Sequence, residues 1–134
     1  MCIRDRYDNE RIGKKTLGNG IVIDYSYNAA RMMTGITSTN TLFDFQYNYD
    51  ANQNRIKTDR LHNPTQSEIY EYDERQRLLN TKVGMLVGNN IPTPSSQDNF
   101  VYDPLGNRIS KDGDETLTSY SKNNLNQYLS LIHI

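Results

Sequence analysis

Tryptophan is absent from this 134-residue chain, and cysteine occurs once, as Cys2. Histidine occurs only at His62 and His133, and no Cys or His has the spacing of a zinc site. No apolar run is long enough for a membrane-spanning helix. The net charge of −1 offers no basic surface for nucleic acid. Hydrophobic residues make up only 35% of the chain, and ten Tyr and three Phe carry much of that content. These rings are the most informative residues that remain.

The two ends of the chain look unrelated as peptides but are related as DNA. The DNA strand ATGTGTATAAGAGACAG encodes residues 1–5 and the start of the codon for residue 6. Its reverse complement, CTGTCTCTTATACACAT, encodes residues 129–133 and the start of the codon for residue 134. Residues 1–6 and 129–134 are therefore interpreted as one sequencing-adapter end translated from opposite strands, and as non-native. We expect residues 7–128 to be an internal piece of a longer reading frame.

A short phrase recurs along residues 7–128. It has an aromatic residue, any residue, a tyrosine, an Asp or Asn, a few turn residues, and then Arg with an aliphatic residue. The repeat-defining residues are Tyr25, Tyr27 and Arg31; Tyr47, Tyr49, Asp50 and Arg55; Tyr70, Tyr72, Asp73 and Arg77; Phe100, Tyr102, Asp103, Gly106 and Arg108; with a partial copy at Tyr7, Asp8 and Arg11 and a degenerate one from Tyr120. The first aromatic residues are 22, 23, 30 and 20 positions apart, and such a period predicts an array of one small unit.

Each repeat predicts a β-hairpin. Alternation along a strand puts the two rings on one face and the residue between them on the other. The Asp or Asn opens the turn, and residues 103–106 have the sequence of a type I turn. We expect Arg to start the return strand and to lie over the rings of its own hairpin. On that reading the turns differ in length by up to two residues between copies.

Further turns, such as Asn19-Gly20 and Asp112-Gly113, are predicted to join each hairpin to the next. The chain is therefore predicted to be all-β, an antiparallel meander of hairpins in one wide, curved sheet with a polar or wet concave side. Residues 84–96 form an insertion rich in Gly, Pro and Ser, and they are predicted to be a surface excursion between units.

The sequence offers little for catalysis. His62 is the only base of its type in residues 7–128, and it is predicted to lie in a turn. The acidic pairs Asp112/Asp114 and Glu68/Glu71 are expected on solvated faces of a turn and a strand. The sequence also lacks the spaced ligands of a calcium-binding loop and the glycine-rich motif of a phosphate-binding loop. We expect a non-enzymatic chain with no cofactor and no metal.

The phrases YDPLGNRI at 102–109 and YDANQNRI at 49–56 resemble the YD repeat, also called the Rhs repeat. The resemblance covers nearly all of residues 7–128, with four full copies in register. It implies a long β-sheet strip that spirals into a hollow shell, as in bacterial Rhs proteins and Tc toxins, wall-associated bacterial proteins and animal teneurins. In toxin members the shell encloses a C-terminal toxic domain. Neither that domain nor the C-terminal core region with its self-cleaving aspartates is recognisable in this sequence.

The resemblance favours a structural segment of a shell that encapsulates or displays a C-terminal toxin or effector domain of a larger secreted or surface protein of a bacterium. Its partners would be further repeats and the C-terminal domain of the same polypeptide. The alternative is an extracellular adhesion module, in which aromatic hairpins bind carbohydrate or a cell surface. Choline-binding repeats have a similar period, but they depend on tryptophan cages, which this chain lacks.

Overall fold

The fold is one open antiparallel sheet in the computed structural model, which describes residues 3–6, 11–113, 116–122 and 128–133. Each strand is hydrogen-bonded to the next along the chain. The strands are β1 (Ile3–Arg6), β2 (Ile12–Thr16), β3 (Val22–Tyr27), β4 (Met33–Ser38), β5 (Asp44–Tyr49), β6 (Arg55–Arg60), β7 (Ser67–Tyr72), β8 (Leu78–Gly84), β9 (Ser96–Tyr102), β10 (Arg108–Gly113), β11 (Thr116–Lys122) and β12 (Tyr128–His133). Two 3₁₀ turns, Thr39–Thr41 and Pro64–Gln66, complete the described elements. The predicted all-β meander in a curved sheet is confirmed.

The adapter-like tails supply β1 and most of β12, the two outermost strands of the described sheet. Their interpretation as non-native, and that of residues 7–128 as the natural segment, stays a prediction. No helix in the described part of the chain is long and apolar enough to cross a membrane.

The four full repeats form the hairpins β3–β4, β5–β6, β7–β8 and β9–β10, and all four have a five-residue loop, at 28–32, 50–54, 73–77 and 103–107. In each loop the N–H of the first residue donates to the carbonyl of the fifth at 2.9 Å, and the N–H of the fourth donates to the carbonyl of the first at 2.9–3.1 Å. The fourth residue has a positive φ in every copy: Arg31 at 65°, Gln53 at 69°, Gln76 at 61° and Gly106 at 92°. The predicted differences in loop length are therefore wrong.

The arginines of the phrase occupy three different positions, which is why they misled the prediction. Arg55 and Arg108 start strands β6 and β10, as expected. Arg77 is instead the fifth residue of its loop, and Arg31 is the fourth. The loop length is constant instead. Five residues, of which the Asp or Asn is the first, precede the first residue of every return strand in the four full repeats.

A β-bulge follows the loop in every return strand. In β6, for example, Arg55 lies opposite Tyr49, but Lys57 lies opposite Asn48, so that Ile56 has no partner. The equivalent unpaired residues are Thr34, Leu79 and Ile109. Bulges increase the right-handed twist of a strand. One bulge in every second strand therefore contributes to the curvature of the sheet.

The sheet has two chemically different faces. The ring face carries Tyr25, Tyr27, Phe45, Tyr47, Tyr49, Tyr70, Tyr72, Phe100, Tyr102 and Tyr120. The residues between the paired rings, Ser26, Asn48, Glu71 and Val101, are exposed on the opposite, polar face, as the alternation predicted. Burial is sparse in this single layer. The buried side chains in the described part are Ile69, Ile91 and Phe100 among apolar residues, and Thr58, Ser67, Asn80 and Thr118 among polar ones.

The insertion between β8 and β9 folds back on the polar face. Ile91 is only 1% exposed, and its Cγ2 methyl lies 2.7 Å from the place where a Cβ at Gly84 would stand. The Asn89 Oδ1 accepts a hydrogen bond of 3.1 Å from Lys57 Nζ on β6, two strands away. The predicted surface excursion is therefore anchored at both its base and its tip.

The joining turns agree only in part with the sequence. Asn19-Gly20 lies in a tight turn between β2 and β3, in which Gly20 has a φ of 84°. Asp112-Gly113, predicted as a turn, is the end of strand β10, and Gly113 pairs with Asp98. Gly113 also pairs with Thr116 of β11, and residues 114–115 lie outside the described residues.

Candidate functional site

The second tyrosine of each repeat joins its hairpin to the preceding one. Its hydroxyl donates a hydrogen bond to the backbone carbonyl of the first residue in the preceding return strand. The four pairs are Tyr27 to Ile12 (3.1 Å), Tyr49 to Met33 (2.6 Å), Tyr72 to Arg55 (3.0 Å) and Tyr102 to Leu78 (2.8 Å). We call these four bonds the tyrosine ties. Burial raises the pKa of Tyr72, one of these four donors. A hydrogen bond of this kind contributes about 1 kcal/mol net.

Guanidinium groups cover several rings of the ring face. Arg55 lies over Tyr47 of its own hairpin at 5.5 Å and over Tyr70 of the next hairpin at 5.3 Å. Arg108 lies over Phe100 of its own hairpin at 4.5 Å. The others are Arg11 over Tyr27 (5.1 Å), Arg60 over Phe45 (5.7 Å) and Arg77 over Tyr102 (4.7 Å). The expected contact within one hairpin is thus confirmed for Arg55 and Arg108, whereas Arg77 reaches the next hairpin instead.

The Asp or Asn that opens each loop holds it closed. The Asp50 Oδ1 accepts the N–H of Asn54 at 2.8 Å, and its Oδ2 accepts the Asn54 side-chain amide at 3.0 Å. These bonds, the side-chain one foremost, lower the pKa of Asp50. In the next hairpin the backbone N–H of Arg77 is the main cause of a lowered pKa at Asp73. The same closure recurs at Asp103 and at Asn28.

The loops at 73–77 and 103–107 are also joined to each other by hydrogen bonds. Arg77 donates through Nε to Asp73 Oδ2 at 2.6 Å and through Nη1 to the carbonyl of Asp103 at 3.2 Å. Arg75 donates to the carbonyl of Pro104 at 2.9 Å. Together with the tyrosine ties, these contacts mean that side-chain hydrogen bonds join neighbouring hairpins as well as closing each loop.

The other predicted residues are placed as follows. Tyr7 and Asp8 lie outside the described residues. Tyr25 lies in β3 and Tyr120 in β11, both half-buried, and Arg31 is exposed in its loop. The sequence signalled that the rings share a face, but it gave no sign of the tyrosine ties, whose acceptors are carbonyls and leave no trace in residue type. The loop-closing Asn54 and Asn107 were also missed, although both stand four residues after the Asp.

A cleft of about 440 Å³ lies on the polar face beneath the insertion. Asn89 and Asn90 of the insertion form one side of it. Asn48, Lys57 and Glu71 of strands β5 to β7 line the other. The cleft also contains Ile56, the unpaired residue of the β6 bulge, and Ile69, together with Tyr49 and Tyr70. Sequence reasoning missed this cleft, because its two sides are 18–42 residues apart along the chain.

His62 and Glu68, two of the residues weighed for catalysis, are used in packing. His62 contacts the edge of Phe45 at 4.8 Å between ring centroids, and its Nδ1 lies 3.0 Å from the backbone N of Asp44. Glu68 is hydrogen-bonded to Tyr70 and paired with Arg60. In the described part of the chain, no group of three His, Cys, Asp or Glu side chains could hold a metal ion.

No protein-family model and no curated protein sequence matches the chain. Solved structures do. Two crystal structures, TcdB2-TccC3-TEV and TcdB2-TccC3 without its hypervariable C-terminal region, superpose with TM-scores of 0.78 and 0.77, each at 18% identity. The Tc holotoxin pore of Photorhabdus luminescens with a mutant TccC3 gives 0.78 at 19% identity. Each match covers 97% of this chain and 7% of the other. The chain thus has the fold of an Rhs/YD-repeat shell segment and spans a small fraction of such a shell.

Proposed function

We propose that this chain is a non-catalytic wall segment of a shell that encapsulates or displays a C-terminal toxin or effector domain of the same polypeptide. The observation that carries the proposal is the tyrosine tie. It recurs at four successive junctions with the same donor position and the same acceptor position. A junction of constant geometry lets one sheet be extended by adding hairpins, which is what the wall of a shell requires.

The two faces of the sheet support the same role. The ring face uses its rings and arginines on one another, and the polar face carries side chains suited to water. A single layer of this kind separates two aqueous spaces without needing a second layer to cover it. One of the similar structures is described as lacking a hypervariable C-terminal region. A variable domain following a constant wall is the arrangement proposed for the protein that contains this segment, at the cell surface or outside the cell.

The test begins with the reading frame on both sides of this segment. The intact protein should carry many further repeats and a compact domain after them. Limited proteolysis should leave that domain intact while the wall is intact. Combined Tyr49→Phe, Tyr72→Phe and Tyr102→Phe substitutions should then make the domain sensitive to protease. The matched control is Tyr47→Phe, on the same face but without a tie. A reading frame that continues into a wall-anchoring signal with no enclosed domain would refute encapsulation and support adhesion.

A further inference from the structure

We propose that the cleft beneath the insertion binds a short, uncharged saccharide. The proposal goes beyond the wall function and does not depend on it. The aromatic rings, which would be the obvious platform for a sugar, are poor candidates. Guanidinium groups of Arg55, Arg77 and Arg108 already lie over rings on that face. The hydroxyls of the second tyrosines are committed to backbone carbonyls. A ligand would have to displace the contacts that hold the wall together.

In the cleft on the polar face, several polar side chains are not used in contacts of this kind. Its volume of about 440 Å³ falls within the range typical of small-molecule sites, roughly 300–1,000 Å³. It is lined by strands of two hairpins on one side and by the anchored insertion on the other. Because Ile91 and the Lys57–Asn89 bond hold the insertion, the cleft is formed before any ligand arrives. A preformed site avoids part of the cost of ordering on binding.

The polar groups in the cleft are available for a ligand. Within the described part of the chain, the side chains of Asn48 and Glu71 have no hydrogen-bond partner. Asn89 and Asn90 each use their Oδ1, on Lys57 and on the backbone N–H of Ile91, and their Nδ2 donors have no partner among the described residues. The lining thus offers amide donors, an amide acceptor, a carboxylate and an ammonium group around one space.

The charge balance selects an uncharged ligand. The ammonium of Lys57 and the carboxylate of Glu71 both line the cleft, so that an anion or a cation would meet one like charge. A hydroxyl can donate to the carboxylate and accept from the ammonium or an amide, and neighbouring hydroxyls on one ring can do both. The Ile56 and Ile69 side chains provide an apolar contact for the C–H face of such a ring. An uncharged pyranose fulfils all of these requirements.

The test uses the full chain labelled with ¹⁵N and the methyl glycosides of glucose, galactose, mannose and N-acetylglucosamine at millimolar concentration. At least one glycoside should show saturation transfer and shift the side-chain amide signals of Asn48, Asn89 and Asn90. The combined Glu71→Gln and Asn48→Ala variant should bind about tenfold more weakly, which corresponds to losing roughly one good hydrogen bond. The Glu74→Gln and Asn52→Ala variant makes the same chemical changes outside the cleft and should bind like the parent chain. Thermal unfolding of each variant checks that the fold is kept.

Any of four results would overturn the proposal. The first is the absence of saturation transfer from all four glycosides. The second is equal binding by the cleft variant and the parent chain. The third is shifts confined to tyrosine rings, which would place any sugar on the ring face. The fourth is stronger binding of methyl phosphate or methylammonium than of every glycoside, because the cleft would then select charge.

Discussion

Replacing Gln53 and Gln76 with glycine should stabilise this protein. Both residues are the fourth in their loops and have φ values of 69° and 61°, in the left-handed region that disfavours residues with a Cβ. Gly106 occupies the same position with a φ of 92°. Both glutamines are exposed, and within the described residues their side chains make no hydrogen bond. The substitutions therefore remove strain without removing a side-chain contact.

The size of the effect follows from two opposing terms. The left-handed conformation costs an L-residue about 1–2 kcal/mol. Glycine itself costs about 0.5–1 kcal/mol, because the unfolded chain has more conformational freedom to lose at a glycine. The net gain is about 0.5–1 kcal/mol for each substitution. The two together should raise the midpoint of thermal unfolding by roughly 3–8 °C for a chain of this size.

The control is Gln46→Gly, which makes the same chemical change at an exposed position of strand β5. There φ is extended, so the substitution should lower stability by up to about 1 kcal/mol. The reverse change, Gly106→Gln, should also destabilise. A Cβ at that position would have only Arg77 Nη1 nearby, at 4.0 Å, so the cost lies in the backbone. Urea and thermal unfolding followed by circular dichroism measure all four variants. Equal shifts for Gln53→Gly and Gln46→Gly would refute the reasoning.

Three further predictions concern the ties, the loops and the sheet edges. Tyr49→Phe removes a tyrosine tie and should lower stability by about 1 kcal/mol in urea unfolding, whereas Tyr47→Phe on the same strand should cost much less, and equal losses would contradict the role of the tie. The lowered pKa values of Asp50 and Asp73 mean that their contribution is complete above the unfolded value of about 3.8 and is lost as pH falls through the folded values. The urea concentration at the midpoint of unfolding should therefore decrease as the pH falls below about 4. It should decrease less in the variant that carries both Asp50→Asn and Asp73→Asn. Residues 7–128 alone should self-associate through open strand edges, and a sharp monomer peak in size-exclusion chromatography would contradict this.

The sequence predicted the repeating unit well because its signals are local. Alternation around the paired rings, as at Tyr47 and Tyr49, depends only on strand geometry, and the structure places these residues as expected. The error in loop length arose because Arg was taken as the end of the turn. Arg31 and Arg77 lie inside their loops, and the positive φ of Arg31 has no signal in an arginine. Only Gly106 carries the residue type that its conformation favours.

The contacts between units were harder to predict, for physical reasons. The tie from Tyr102 ends on the backbone carbonyl of Leu78, and any residue at that place would provide the same acceptor. The cleft depends on how the insertion folds back to Lys57, which is a tertiary event without a local pattern. Residue identities therefore specify each hairpin, while the junctions depend on backbone geometry that many sequences share.

The tyrosine tie has a consequence for how such repeat arrays gain and lose units in evolution. Each tie links a hairpin only to the one before it, and it uses the acceptor that every unit provides. Removing a whole hairpin, or copying one, would leave a complete junction on both sides. The insertion between β8 and β9 shows that extra residues are accepted between units without disturbing the ties that flank it. Gains and losses of entire units should therefore be tolerated better than small deletions within a loop, whose five residues leave no room for change.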